Sequence, residues 1–250
     1  MLKIRPIPAF QDNYIWMIQN GNHVAVIDPG DAAPVISTLQ KENLTLDAIL
    51  ITHHHNDHIG GVQNLLKDYQ TQVFAPANES FDFPHQAVRE NNLIRLPNLE
   101  LNLSVLDIPG HTNGHVAYYG LNHLFCGDTL FGGGCGRLFE GTYEQLFNSL
   151  QKLAALPDET LVYCAHEYTE HNLRFANLVD SKNAALINRI ILTNRVRASN
   201  TPSLPSSIGL EKETNPFLRC DDQTIASALG LQAPDTITVF KTLRNMRNNF

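Results

Sequence analysis

Residues 47–61 read Asp-Ala-Ile-Leu-Ile-Thr-His-His-His-Asn-Asp-His-Ile-Gly-Gly. Asp47–Thr52 is a short, nearly continuous apolar run, the pattern of a strand buried inside a sheet. It delivers the chain directly into His53-His54-His55-Asn56-Asp57-His58. Four of the eleven histidines therefore fall within six positions. In an extended segment the side chains at i and i+2 point to the same side, so His53 and His55 can converge on one metal ion. Asp57 and His58 come after a further turn and can face a second point. Burying so many ionisable groups at the end of an apolar strand is costly unless something binds them. The segment therefore reads as metal-ligating, with more donors than one four-coordinate zinc can use. His54, between two ligands, is expected to point away and to be structural.

Other candidate donors lie far along the chain, each at the end of a strand-like run. Pro109-Gly110-His111 follows Leu99–Ile108, Gly127-Asp128 follows His123–Cys126, and Ala165-His166 follows Thr160–Cys164. Donors gathered at strand ends by loops match the usual placement of sites in α/β proteins. The count then closes. His53, His55 and His111 make one set; Asp57, His58 and His166 make another. Asp128 has two carboxylate oxygens and can bridge both, and a shared hydroxide brings each metal to five ligands. His115 reads as a neighbour of the ligands rather than a ligand. His23, His85, His123 and His171 carry no functional signal.

Around this frame the pattern is mixed α/β. Tyr14–Gln19 and His23–Asp28 are separated by Asn20-Gly21-Asn22, a hairpin signal. Pro34–Asn43 has Val35, Ile36 and Leu39 on one helical face, and a second helix follows Gly60-Gly61 with Val62, Leu65, Leu66 and Tyr69. Further strands are expected near Gln72–Ala75 and Val116–Tyr119. Thr142-x-x-Gln145 is a capping-box pattern that opens a helix. From about Glu167 the texture becomes helical. Ala184–Val196 and Pro234–Asn248 are expected helices, Thr201–Pro216 a long loop, and Asp221–Leu229 a helix stopped by Gly230. The expected division is a catalytic part, 1–168, and a helical substrate-binding part, 169–250.

The 250 residues are 43% apolar, enough for one or two domains with sizeable cores. The net charge of −7 gives no global field toward nucleic acid or an anionic membrane. No apolar run approaches the ~18 residues of a membrane span. The opening MLKIRPIPAFQDN has no apolar segment of the signal-peptide kind. The cysteines at 126, 135, 164 and 220 form no CxxC and read as thiols, which points to a reducing, cytoplasmic setting.

Thr52–Gly61 resembles the signature of the metallo-β-lactamase superfamily, and Pro109-Gly110-His111-Thr112-x-Gly114-His115, Gly127-Asp128-Thr129 and Cys164-Ala165-His166-Glu167 match its later motifs in order. Phe10-x-Asp12-Asn13-Tyr14, the run from Phe131 through Gly133-Gly134-Cys135-Gly136-Arg137 to Gly141, and the basic C-terminal helix are similar to the bacterial glyoxalase II, or hydroxyacylglutathione hydrolase, family. The resemblance implies a four-layered αββα sandwich of the α/β (α+β) class, with a small helical C-terminal domain. It implies two divalent metals, zinc first and iron or manganese as alternatives, and Asp28 as a carboxylate that orients a ligand histidine.

It also implies a reaction. A hydroxide between the metals, with Asp57 and Asp128 among their ligands, would attack the thioester of S-D-lactoylglutathione and yield glutathione and D-lactate, the second step of methylglyoxal detoxification. The thiolate leaving group, with a conjugate-acid pKa of about 8.5, needs no strong general acid. An acidic chain needs a local basic spot for a glutathione carboxylate, and 237–250 carries Lys241, Arg244 and Arg247 with no acidic side chain. Arg244 and Arg247 share a helix face. By similarity they would hold the glycine carboxylate, with Arg137, Phe139 and Tyr168 nearer the peptide. Many family members have Lys at the positions of Arg137 and Arg247, and some have Tyr at that of Phe139. The expected partner is this small-molecule thioester, with no nucleic acid or membrane, and the chain is expected to act as a monomer. Two other readings share the motifs. A mononuclear glutathione persulfide dioxygenase is disfavoured by the helical extension and the complete second metal set, and a metallo-nuclease by the charge.

Overall fold

In a computed structural model, which describes residues 2–250, the chain forms two compact units. One comprises Met1–Asp107 and Asn113–Gly127, the other Ile108–Thr112 and Asp128–Phe250.

The first unit opens with an antiparallel trio, β1 (Lys3–Ala9), β2 (Asn13–Asn20) and β3 (His23–Ile27). After α1 (Ala32–Glu42) the sheet continues in parallel through β4 (Thr45–Leu50), β5 (Gln72–Pro76) and β6 (Gln86–Val88), in the order β1-β2-β3-β4-β5-β6. Two short helices interrupt the run between β4 and β5: α2 (Asn56–Ile59) and α3 (Val62–Asp68). Alternate residues explain the buried faces. Ile15 and Met17, Val24 and Val26, and Ile49 and Ile51 join one core with Val35 and Leu39 of α1 and Val62 and Leu65 of α3. The intervening Trp16, Ile18, Ala25, Ile27, Ala48 and Leu50 are buried as well. With both faces covered, β4 has to be nearly all apolar, which is why Asp47–Thr52 lacks alternation.

The unit's other strands are β7 (Leu93–Leu96), β8 (Leu101–Asp107), β9 (Val116–Gly120) and β10 (His123–Gly127), paired antiparallel in the order β10-β9-β8-β7. The β9–β10 turn places Leu121 and Asn122 both at positive φ (50° and 58°), as a two-residue turn matching strand twist requires. The Tyr118 hydroxyl of β9 donates to Ile51 O at 2.5 Å. Burial raises this phenol well above its ordinary pKa, with Asp28 adding to the effect, so it remains a donor.

The second unit holds a two-stranded hairpin, β11 (Leu130–Phe131) with β12 (Gly134–Cys135), then α4 (Tyr143–Ala154) and β13 (Leu161–Cys164). The capping box of α4 is complete: Gln145 N donates to Thr142 Oγ1 and Thr142 N to Gln145 Oε1. The rest is α5 (Thr169–Val179), α6 (Ala184–Arg197), β14 (Ser206–Ser207), α7 (Ile208–Thr214), α8 (Gln223–Ala228) and α9 (Thr236–Asn248). Leu173 and Ala176 of α5 pack on Leu186 of α6, and Phe240 of α9 packs 5.5 Å from Phe147 of α4. Gly230 (φ 71°) closes the turn after α8.

One expectation is overturned here. Thr201–Pro216 is not a long loop: Ser206–Ser207 pairs with β13, and Ser207 caps α7 by accepting from Leu210 N. The buried positions of α7 are Ile208, Glu211 and Thr214. Two of the three are polar, so the apolar periodicity that marks a helix is missing from the sequence. Their burial is compensated instead by Arg189, whose guanidinium donates to Glu211 Oε1 (2.5 Å) and Thr214 Oγ1 (2.6 Å).

Candidate active site

In the first unit the donors come from the end of β4 and from α2. Asp28, buried at the end of β3 with φ 54°, accepts from Thr52 N and Thr52 Oγ1, both at 2.7 Å, and lies 3.0 Å from His58 Nδ1. A carboxylate accepts only, so the His58 proton is on Nδ1 and its Nε2 presents a lone pair. The Thr52 hydroxyl hydrogen is committed to Asp28. At 3.0 Å from His53 Nδ1 it therefore acts as acceptor, and His53 too presents Nε2. One carboxylate thus sets two imidazoles. His53 Nε2 then lies 3.1 Å from His55 Nδ1, and His58 Nε2 lies 3.4 Å from Asp57 Oδ2. Asp57 is itself held by Asn13, whose Nδ2 donates to Asp57 Oδ2 at 3.0 Å. His54 turns aside to Glu79 (3.2 Å), and His115 stacks on His53 with ring centroids 4.6 Å apart.

In the second unit, Asp128 stands between two histidines. Its Oδ2 is 3.4 Å from His111 Nε2 and its Oδ1 is 3.4 Å from His166 Nε2. His111 Nδ1 donates to Arg137 O at 2.8 Å, which again turns Nε2 toward the carboxylate. The strand-to-loop passage must come very close to make this possible. A Cβ on Gly136 would lie 1.9 Å from Asp128 O, so no other residue fits there.

These donor sets suit divalent metal ions. Lone-pair nitrogens and carboxylate oxygens repel one another unless a cation lies between them. A tetrahedral ion with bonds of about 2.0–2.1 Å spaces its ligands by roughly 3.3–3.4 Å, close to the 3.1–3.4 Å separations within each unit.

All five side chains expected to touch glutathione line one cavity of the second unit, about 260 Å³, together with His111 and Asp128. Arg137, Arg244 and Arg247 make it strongly cationic. Arg244 is buried; its Nη1 donates to Cys135 O at 2.7 Å and Gly136 O at 3.3 Å, and its guanidinium lies 5.2 Å from the Phe217 ring centroid. Arg244 therefore also braces the loop that carries Arg137. Arg247 is half-buried, and its Nε and Nη2 donate to Asn172 Oδ1. Burial, then the neighbouring Arg244, pulls the Arg247 pKa below its ordinary value. The Tyr168 ring stacks on His166 at 4.7 Å, and Phe139 sets its edge against His111 at 5.2 Å. Cys135 lines the same cavity, but burial pushes its thiol pKa up despite Arg244. A protonated thiol is a poor nucleophile.

Comparison with known proteins agrees with this picture. The family model described as metallo-β-lactamase superfamily matches residues 10–166, and that described as hydroxyacylglutathione hydrolase C-terminus matches residues 167–250. A hydroxyacylglutathione hydrolase from Methylobacillus flagellatus is 54% identical, and one from Nitrosomonas eutropha 49%, each over 100% of both chains. The chain belongs to the hydroxyacylglutathione hydrolase family of the metallo-β-lactamase superfamily. Among solved structures it resembles the ETHE1 protein of Myxococcus xanthus (25% identity, TM-score 0.66, 99% of this chain and 98% of that one). It also resembles TTHA1623, solved in a di-iron-bound form (26% identity, TM-score 0.61, 86% of this chain and 100% of that one).

Membership in the hydroxyacylglutathione hydrolase family gives the α/β metallo-β-lactamase fold with a helical C-terminal domain. It does not by itself identify the buried amides that brace the site. Asn13 was visible only as part of the Asp12-Asn13-Tyr14 motif, with nothing to link it to Asp57 forty-four positions on. Asn172 gave no sequence signal, because a polar residue on a surface-like helical segment reads as solvated. Among the described residues no helix is long and apolar enough to cross a membrane.

Proposed function

We propose that the chain hydrolyses S-2-hydroxyacylglutathione thioesters, S-D-lactoylglutathione first among them, to glutathione and the hydroxy acid. The observation that carries this is a cavity in which a two-sided carboxylate, Asp128, shares its walls with three guanidinium groups. Glutathione is an anionic peptide, and this is a cationic pocket opening on a histidine–carboxylate set in a chain whose net charge is −7.

The proposed metal ligands are His53, His55 and His111 for one ion and Asp57, His58 and His166 for the other, with Asp128 shared. Zinc is the proposed metal, since a mixed imidazole and carboxylate set suits it. A pair of such ions would supply a Lewis acid for the thioester carbonyl and would lower the pKa of a water enough for it to serve as hydroxide near neutral pH.

The chain's own residues do the rest. Asp28 and Thr52 fix the tautomers of His53 and His58, and the Arg137 carbonyl fixes that of His111, so three ligands are oriented before any ion arrives. Arg244 and Arg247 hold the glycine carboxylate, while Arg137, Phe139 and Tyr168 line the path toward Asp128. No side chain is needed to protonate the departing thiolate, whose pKa is about 8.5. Four buried free cysteines support a cytoplasmic setting, and we read the chain as a monomer acting on a small molecule. The dioxygenase reading is weaker, because the relatives of about 50% identity bear the hydrolase name.

Purified, metal-loaded protein should hydrolyse S-D-lactoylglutathione with saturation. Saturable turnover of lactones or β-lactams without turnover of glutathione thioesters would reject the substrate. Oxygen uptake with one iron per chain would favour the dioxygenase.

A further inference from the structure

Arg247 is gripped by a neutral amide, although a carboxylate is the usual partner of a crowded guanidinium. Asn172, on α5, is 4% exposed and lines the arginine cavity. Its Oδ1 accepts from Arg247 Nε (3.3 Å) and Nη2 (3.1 Å), and its Nδ2 donates to Gly132 O (3.1 Å). Both ends of the amide are committed, so it cannot flip without setting N–H against N–H at Arg247 and O against O at Gly132. The seat is built to measure: a Cβ on Gly134 would lie 2.6 Å from the Asn172 amide carbon, so bare backbone there is what admits the side chain.

A guanidinium has five N–H groups. Asn172 takes two, on one edge, which leaves three. The Phe250 ring centroid lies 5.9 Å from the Arg247 guanidinium carbon and restrains its plane. Arg247 is therefore oriented by the 132–134 turn, through Asn172, and not by its own long side chain alone. A carboxylate at 172 would cancel the charge, and it would set an oxygen against Gly132 O in place of the hydrogen bond that anchors the amide. The neutral amide oxygen holds the edge and leaves the charge for a ligand.

We propose that Asn172 is the positioning residue for carboxylate recognition: it fixes the Arg247 guanidinium to the Gly132 carbonyl while leaving its charge to the terminal carboxylate of the substrate. This rests on the reading of the cavity as a glutathione site.

The test uses the full-length, metal-loaded enzyme with Asn172→Asp and Asn172→Ala. Substrates are S-D-lactoylglutathione and its glycine ethyl ester, and calorimetry measures the binding of glutathione and of its glycine monoethyl ester. The wild type should prefer the free acid in both assays. Asn172→Asp should raise KM and the glutathione Kd for the free acid about tenfold, the size of one charge-assisted hydrogen bond. The ester should change far less, and kcat less than KM. Asn172→Ala, which adds no charge, should lose roughly threefold to tenfold of the same preference, and it carries the test alone if the aspartate variant does not fold. Equal losses on acid and ester would overturn the proposal, because that is what a merely structural residue gives. A wild type with no preference for the free acid would also overturn it, and would place the fault in the carboxylate reading of the cavity and not in Asn172.

Discussion

The Asp28 carboxylate lies 3.0 Å from His58 Nδ1 and also accepts from Thr52 N and Thr52 Oγ1. A single buried charge at a strand end therefore decides which nitrogen two histidines present. Asp28→Asn replaces one acceptor oxygen with an NH2. At Oδ1 it would face the Thr52 backbone N–H, which cannot turn away, so it takes the Oδ2 side, where it faces both the Thr52 hydroxyl hydrogen and the His58 Nδ1 proton. His58 should then adopt the other tautomer and lose ligand quality. We expect metal affinity to fall about 10–100-fold, read as zinc retained per chain against a graded series of chelator concentrations. Retention equal to that of the wild type would refute this role for Asp28.

Asp128 faces His111 with one oxygen and His166 with the other. Asp128→Ala should lower kcat/KM by at least a hundredfold, since both proposed metal sets would lose their shared ligand, and bound metal should drop below two per chain. Asp128→Asn keeps the shape but not the charge and should fall nearly as far. Loss of thioester absorbance gives the rate, and elemental analysis the metal content. Full metal content with normal turnover in either variant would remove Asp128 from the centre.

Much of the candidate site was legible as a set of candidates because strand ends announce themselves. Asp47–Thr52 is apolar on both faces, and the polar residues that follow it have to be there for a reason. The same signal marks His111, Asp128 and His166. The β2–β3 hairpin and the capping box of α4 were legible from local chemistry alone, through Gly21 and through Thr142 with Gln145. What escaped depends on partners distant in sequence. Nothing local tells that Asn13 meets Asp57, or that the polar residues of α7 are buried because Arg189 reaches them. Helix α5 escaped for a related reason: its inward face includes Thr169 and Asn172, so its periodicity is diluted.

The buried pair of Arg189 with Glu211 extends its reach to the cavity. Glu211 Oε2 accepts from Gly133 N at 2.8 Å and from Asn215 Nδ2 at 3.0 Å, and Asn215 Nδ2 also donates to Gly134 O at 2.9 Å. Glu211→Ala leaves the guanidinium uncompensated and the Gly133 amide without its acceptor. Breaking a buried pair in this way costs about 3–5 kcal/mol, which thermal unfolding should show as a marked fall in Tm. Because the 132–134 turn loosens, KM for the glutathione thioester should rise as well. Arg189→Met with Glu211→Gln removes both charges and should recover part of the stability. A double variant no more stable than Glu211→Ala would show that the charge pair is not what the single variant disturbs.

Helix α9 carries Arg244 and Arg247, and Asp235 caps it by accepting from Thr238 N at 2.8 Å. Hydrogen bonds from Thr238 hold the Asp235 carboxyl below the usual carboxylate range. The sign follows from linkage: a carboxyl whose folded pKa is depressed favours the folded state above its unfolded pKa of about 3.9. That contribution is lost as the pH falls through the folded value. Asp235→Ala should therefore lower Tm at pH 7, where the cap is charged and bonded. The gap between variant and wild type should narrow steadily on acidification from about pH 5 downward. Thermal unfolding in a pH series from 7 to about 2.5 gives the comparison directly. A gap that stays constant across the series, or widens in acid, would mean that the charge of Asp235 does not support the helix that presents the two arginines.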